Sequence, residues 1–169
     1  MATTVHGTEW ERPAAGGLKG LVYRLTMTEG DWGTAVARLA LGIVMFPHGA
    51  QKLLGWFGGH GFAGTMGFFT GGMGLPAPLA ALIIFIEFFG SLALIVGALS
   101  RPAALGIAAI MIGAVATVHG KFGFFMNWYG TAPGEGFEYH LLALGLAALV
   151  LVRGAGALSL DRAVAARLR

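Results

Sequence analysis

Apolar positions along this chain gather into four long runs, separated by segments rich in glycine and aromatic residues. The runs are "GTAVARLALGIVMFPHGAQKLLGWF" at 33–57, "PAPLAALIIFIEFFGSLALIVGAL" at 76–99, "AALGIAAIMIGAVATVHGKF" at 103–122 and "FEYHLLALGLAALVLV" at 137–152. About 20 apolar residues of helix cross the roughly 30 Å hydrocarbon core of a bilayer. The second run exceeds that length, the first and third reach it with polar interruptions, and the fourth reaches it only with its polar start. Four helices apolar on every face are more than one small soluble core can bury. The pattern predicts an all-α integral membrane protein, a four-transmembrane-helix bundle over residues 33–157. An N-terminal cytoplasmic or interfacial segment, 1–32, precedes it, and an amphipathic basic tail, 158–169, follows.

Composition agrees with the pattern. Hydrophobic residues make up 56% of the chain and charged residues 11%, against about 25% charged in an ordinary soluble domain. The 29 glycines would weaken soluble helices, but small residues let membrane helices approach closely. Lys19, Arg24, Arg101, Arg153, Arg162, Arg167 and Arg169 flank one side of the expected spans, while residues 58–75 carry no Lys or Arg. Excess Lys and Arg stay cytoplasmic, which predicts a protein of the cytoplasmic (inner) membrane with both termini on the cytoplasmic side. The net charge of +3 reflects this asymmetry and leaves no nucleic-acid footprint.

Local signals refine the outline. "GALSRPAALG" predicts a tight turn with Arg101 in water and Pro102 opening the next helix. "LKGLVYRLTM" predicts a short surface helix, and "LSLDRAVAARLR" a second one capped by Ser159 or Asp161. Residues 1–16 show no apolar run after a basic start, so no cleavable signal peptide is expected. Without cysteine there is no thiol redox, no Fe–S ligation and no covalent c-type haem.

Polar residues inside the runs are the candidate chemistry. In the predicted topology His48, Gln51 and Lys52 lie near the outer end of the first helix. Glu87 sits near the midplane of the second, His119 and Lys121 near the outer end of the third, and Glu138 and His140 at the outer start of the fourth. One polar group per helix converges on the outer half of the bundle, and Arg38 lies apart on the cytoplasmic side. The lysines read equally as snorkelling to the interface, and the histidines as interfacial. Glu87 is harder to dismiss, because a mid-membrane carboxylate must be protonated or partnered, and His48 is its expected partner by depth. Aromatic loops above such groups describe a site for a flat amphipathic molecule such as a quinone. His48, Glu87, His119, Glu138 and His140 are also weak metal-ligand candidates, since no His-x-x-x-His or Glu-x-x-His pair occurs.

The same residues resemble a family. "ARLALGIVMFPHGAQKLLGWFGGHGFAG" is similar to the first helix and loop of DoxX-type membrane proteins, and "IEFFGSLALIVGALSRPAAL" to their second helix. "AVATVHGKFGFF", "GFEYHLLAL" and "GAGALSLDRAV" resemble the third helix, the fourth helix and the tail. The family includes the large subunit of thiosulfate:quinone oxidoreductase and proteins associated with oxidative stress or quinone detoxification. The resemblance implies functional positions at Arg38, His48, Gln51, Lys52, Glu87, Arg101, His119 and Glu138. The expectation is a quinone-interacting subunit of a membrane oxidoreductase, thiosulfate:quinone-type or linked to a respiratory complex, with partner subunits or as a homo-oligomer. Glu87 and His48 are its expected proton-handling pair. The alternative is a non-catalytic accessory subunit binding lipid or a neighbouring protein. A solute transporter fits less well, because no inverted repeat is visible.

Overall fold

A computed structural model describes residues 17–168; the expectation about a signal peptide in 1–16 lies outside them. The described residues form seven α-helices and no strand: α1 Leu18–Thr26, α2 Trp32–Leu54, α3 Gly61–Gly67, α4 Ala77–Val96, α5 Ser100–Ala114, α6 Glu138–Arg153 and α7 Leu160–Leu168. A π-helical segment Phe68–Gly72 continues α3. A second, Val115–His119, continues α5 and runs into a 3₁₀ turn, Gly120–Phe122.

Capping residues explain the helix limits. Asp31 accepts hydrogen bonds from the backbone N–H of Gly33 at 2.8 Å and of Thr34 at 3.2 Å, and from the Thr34 hydroxyl. Chiefly through that hydroxyl, its carboxyl is held below the ordinary carboxylate range. The cap therefore weakens only as pH falls through the depressed value. α2 runs through Pro47 and stops at Gly55, whose φ of 75° is left-handed, short of the expected Phe57. α4 stops in the same way at Gly97.

The four long helices pack as a ring, α2 on α4, α4 on α5, α5 on α6 and α6 back on α2, in up-down-up-down order. Their shared centre holds Leu41, Met45, Leu94, Ile107, Met111 and Val150 among three alanines, Ala104, Ala143 and Ala147. Many large apolar side chains instead face outward, including Phe85, Phe89, Leu105, Ile112 and Leu142. Large apolar side chains on the outer surface suit a bundle solvated by lipid. Two helices, Ala77–Val96 and Ser100–Phe122, are long and apolar enough to cross a membrane by length and composition.

Glycine sets the closest contact in the ring. Gly42 and Gly49 lie two turns apart on the face of α2 that meets α4. A Cβ at Gly49 would stand 2.6 Å from Phe88 Cα and 2.7 Å from the Glu87 carbonyl carbon. Backbone cannot yield as a side-chain tip can. Gly49→Ala is therefore expected to destabilise by about 1–3 kcal/mol, because the clash outweighs the gain in helix propensity. Thermal unfolding in detergent measures this, and an unchanged or raised midpoint would show that the helices can separate at little cost.

The far end of the ring is closed by α1, α7 and the turn between α6 and α7. Asp161 of α7 accepts from the backbone N–H of Leu99 at 2.7 Å and of Ser100 at 2.8 Å, so the tail caps α5 across the fold. Ser159 Oγ accepts from Arg162 N at 3.3 Å and caps α7 itself. Arg101 does not stand in water as expected. It is half-buried and donates to Leu151 O at 3.0 Å, to Val152 O at 3.3 Å and to Met27 O. The carbonyls at the C-termini of α6 and α1 draw it inward, because helix ends present unpaired acceptors and negative dipole.

Candidate functional site

The approach at Gly49 brings the next turn of α2 against the middle of α4. There Lys52 Nζ lies 2.6 Å from Glu87 Oε1, with the lysine side chain 27% exposed and the glutamate 3%. The ammonium also reaches the His48 carbonyl at 3.5 Å. Lys52 thus turns inward to a carboxylate instead of snorkelling to the interface. Coulomb attraction in a low-dielectric interior favours this pairing, because Glu87 alone would be an uncompensated buried charge. Its second oxygen, Oε2, is buried without a hydrogen-bond partner among the described residues.

The exposed part of Lys52 opens onto a crevice of about 280 Å³, shared with Gln51, His60, Thr65, Phe68 and Phe69. The segment after α2 forms its far wall. Gln51 Nε2 donates to Phe57 O at 3.1 Å, and Thr65 Oγ1 to Lys52 O at 3.2 Å, pinning that segment back onto α2. Phe69 anchors it in a small core with Ala80 and Ile84. The crevice is thus bounded by phenylalanine and floored by an ammonium and an amide.

A second polar group lies between α2, α5 and α6. His48 is exposed on α2, its ring 5.9 Å from that of Tyr139. Tyr139 donates to Met45 Sδ at 3.2 Å and meets His140 edge-on at 5.5 Å. His140, buried, packs on His119 with ring centres 4.2 Å apart, and its Nδ1 has no partner among the described residues. The π-helical widening of α5 ends at His119, a feature frequent at functional sites. His119 Nδ1 lies 2.8 Å from Glu135 O. A carbonyl can only accept, so Nδ1 carries the proton and Nε2 of the neutral ring is left as acceptor.

The expected ring of donors is therefore two groups, Lys52–Glu87 with Gln51 at the crevice and the histidines with Tyr139 beside it. His48 lies within electrostatic reach of both. Glu138 is engaged elsewhere: its Oε1 accepts from Met126 N at 2.9 Å and Trp128 Nε1 at 2.8 Å, fastening the loop before α6. Lys121 stands over the Phe122 ring at 4.9 Å. Among the described residues no three His, Asp or Glu side chains converge on a metal position.

Arg38 lies at the opposite end, 1% exposed. Nε donates to Ala155 O at 2.8 Å, Nη1 to Ile95 O at 2.9 Å and to Leu94 O, and Nη2 to Leu158 O at 3.2 Å and Ala157 O at 3.4 Å. A guanidinium has five N–H donors, and all five are used on backbone, leaving none for a ligand.

The sequence reading missed Tyr139 and Thr65. Tyr139 has a signal in hindsight, since it stands between two polar candidates at the start of a helix. Thr65 has none, because its place depends on how the loop folds back.

A family model, DoxX, matches residues 33–120. "Putative oxidoreductase CatD" of Bacillus subtilis (strain 168) is 36% identical over 95 residues, covering 56% of this chain and 66% of that protein, just under two thirds. "Inner membrane protein YqjF" of Escherichia coli (strain K12) is 32% identical over 132 residues, covering 78% of this chain and 92% of that protein. No solved structure gives a significant match.

Proposed function

This chain belongs to the DoxX family of membrane proteins, and from that premise we propose that it is a quinone-interacting redox protein of the cytoplasmic membrane, one subunit of a membrane oxidoreductase. In this reading α2, α4, α5 with its extension, and α6 are the four spans. The end built from α1 and α7, rich in Lys and Arg, faces the cytoplasm, and the Lys52 crevice opens near the outer surface.

The observation that carries the proposal is Lys52 in the lining of a crevice with Phe68 and Phe69, its ammonium paired with the buried Glu87 behind it, one of whose carboxylate oxygens has no partner among the described residues. The residues fit a quinone head. The volume of about 280 Å³ falls just below the roughly 300–1,000 Å³ typical of small-molecule sites. Phe68, exposed beside the crevice, offers an aromatic side chain to a flat ring, and Lys52 offers a charge-assisted donor to a carbonyl oxygen. A bound quinone would supply the capacity to accept two electrons and two protons. Lys52 would orient the head, Glu87 would hold a proton within reach of Lys52 Nζ, and the phenylalanines would keep water out. The word "oxidoreductase" in the name of the Bacillus subtilis relative agrees with this class.

Binding tests it directly. Titrating the purified protein with a short-tailed quinone is expected to give a Kd about tenfold higher for Lys52→Gln and for Phe68→Ala than for wild type. Arg153→Ala, at the other end, should leave the Kd unchanged. Wild-type affinity in both crevice variants would remove the crevice from the reading.

One observation favours a second reading, an accessory subunit. Phe125, Trp128 and Tyr129 of the loop before α6 are exposed, Tyr129 to 91%, as a surface awaiting a neighbouring protein would be. Co-purification of a partner that is lost on Trp128→Ala, with no quinone binding by wild type, would select it.

A further inference from the structure

The larger cavity is not the crevice but a pocket of about 670 Å³ at the opposite end, enclosed by α1, the C-terminus of α6 and α7. Arg101, Arg153 and Arg162 line it, with Glu29 as the one carboxylate and Met27 and Val152 as apolar walls. Arg153 is held by Glu29 at 3.3 Å. The Arg162 guanidinium rests on Gly30, with its carbon 2.7 Å from where a Cβ would stand, and makes no hydrogen bond among the described residues. Arg101 uses Nε, Nη1 and Nη2 on carbonyls. Asp161 lies within electrostatic reach of Arg101 and Arg38, offsetting part of that buried charge. Three arginines and the one carboxylate of Glu29 line the pocket, Asp31 reaches Arg153 electrostatically from outside it, and Arg162 keeps its planar donors uncommitted, so the lining itself carries excess positive charge.

We propose that this pocket binds the phosphate group of an anionic phospholipid from the cytoplasmic leaflet. Two guanidinium forks match a phosphodiester, and Arg is the residue suited to bidentate contact with phosphate. The surroundings select a lipid over a free anion. Met27 and Val152, the latter 75% exposed, line the same pocket, giving acyl chains an apolar surface beside the arginines. Basic pockets between helices on the cytoplasmic side suit such headgroups. The inference depends on membrane residence and not on the quinone reading, since the two sites lie at opposite ends of the bundle.

The test compares purified protein in mild detergent with added dioleoyl phosphatidylglycerol, dioleoyl phosphatidylcholine or inorganic phosphate, read by native mass spectrometry and thermal unfolding. Phosphatidylglycerol is expected to persist as a one-to-one adduct and to raise the unfolding midpoint, with the other two giving neither effect. Arg162→Ala, at an exposed side chain with no hydrogen bond among the described residues, should fold normally and weaken phosphatidylglycerol binding about tenfold. Arg162→Lys should recover part of that loss, and Glu29→Gln should tighten binding by removing the competing carboxylate. Equal retention of phosphatidylcholine, or unchanged binding in Arg162→Ala, would overturn the proposal. Full stabilisation by inorganic phosphate would overturn the lipid in favour of a soluble anion.

Discussion

Arg38→Met is expected to lower stability by about 3–5 kcal/mol and to leave little folded protein. The side chain would keep its bulk and lose all five donors. The carbonyls of Leu94 and Ile95, at the end of α4, and of Ala155, Ala157 and Leu158 would lose their partner together. Asp161 would keep its two backbone donors but lose the compensating charge nearby. Burying the guanidinium has its own desolvation cost, so the net loss falls well below the sum of five charged hydrogen bonds. It is still large against a typical total of about 5–15 kcal/mol. Arg38→Lys, with three donors in place of five, should fall between. Thermal unfolding in detergent measures both, and a midpoint within about 2 °C of wild type for Arg38→Met would show that the carbonyls find other partners.

Lys52→Met should give the second large effect, and its value lies in the comparison with a double variant. Removing the ammonium leaves Glu87, 3% exposed, with neither charge partner nor donor. Breaking a buried pair from one side costs about 3–5 kcal/mol, less if the carboxyl takes up a proton. Lys52→Met/Glu87→Leu removes both charges and should recover most of that loss, because the buried pair itself contributes little net stability. The quinone affinity should stay low in both variants. Recovery of stability without recovery of binding would separate the pair's function from its packing. Additive losses in the double variant would mean that the pair holds the helices together.

The helical plan was legible because spanning length and apolarity are local properties of sequence. Each of the four predicted runs coincides with one long helix, counting the extension of α5, with ends that agree to within about three residues. Side-chain direction was not legible. Sequence leaves Lys52 open between the interface and a site and makes His48 the nearest partner of Glu87 by depth, yet with Gly49 against α4 it is Lys52 that meets Glu87 while His48 is exposed. Arg101 was read as solvated because sequence does not show which helix ends converge on it. Arg38 was separable by depth alone, but the loop that consumes its donors lies more than a hundred residues away. Glu138 looked like a site residue by position, and only the path of the preceding loop reveals that its carboxylate is engaged in holding Trp128.

The cap that Asp161 places on α5 also has a consequence for biosynthesis. The Leu99 and Ser100 amides leave the ribosome long before the carboxylate that satisfies them, at sequence separations of 62 and 61 residues. Arg38 waits longer still for Ala155, at a separation of 117. Early helices can pair as hairpins, but the end that α7 closes stays unlocked until Asp161 has been made. Helix α7 therefore works as a latch closed after the long helices, and a chain cut before Asp161 would keep those helices while leaving the Leu99 and Ser100 amides uncapped.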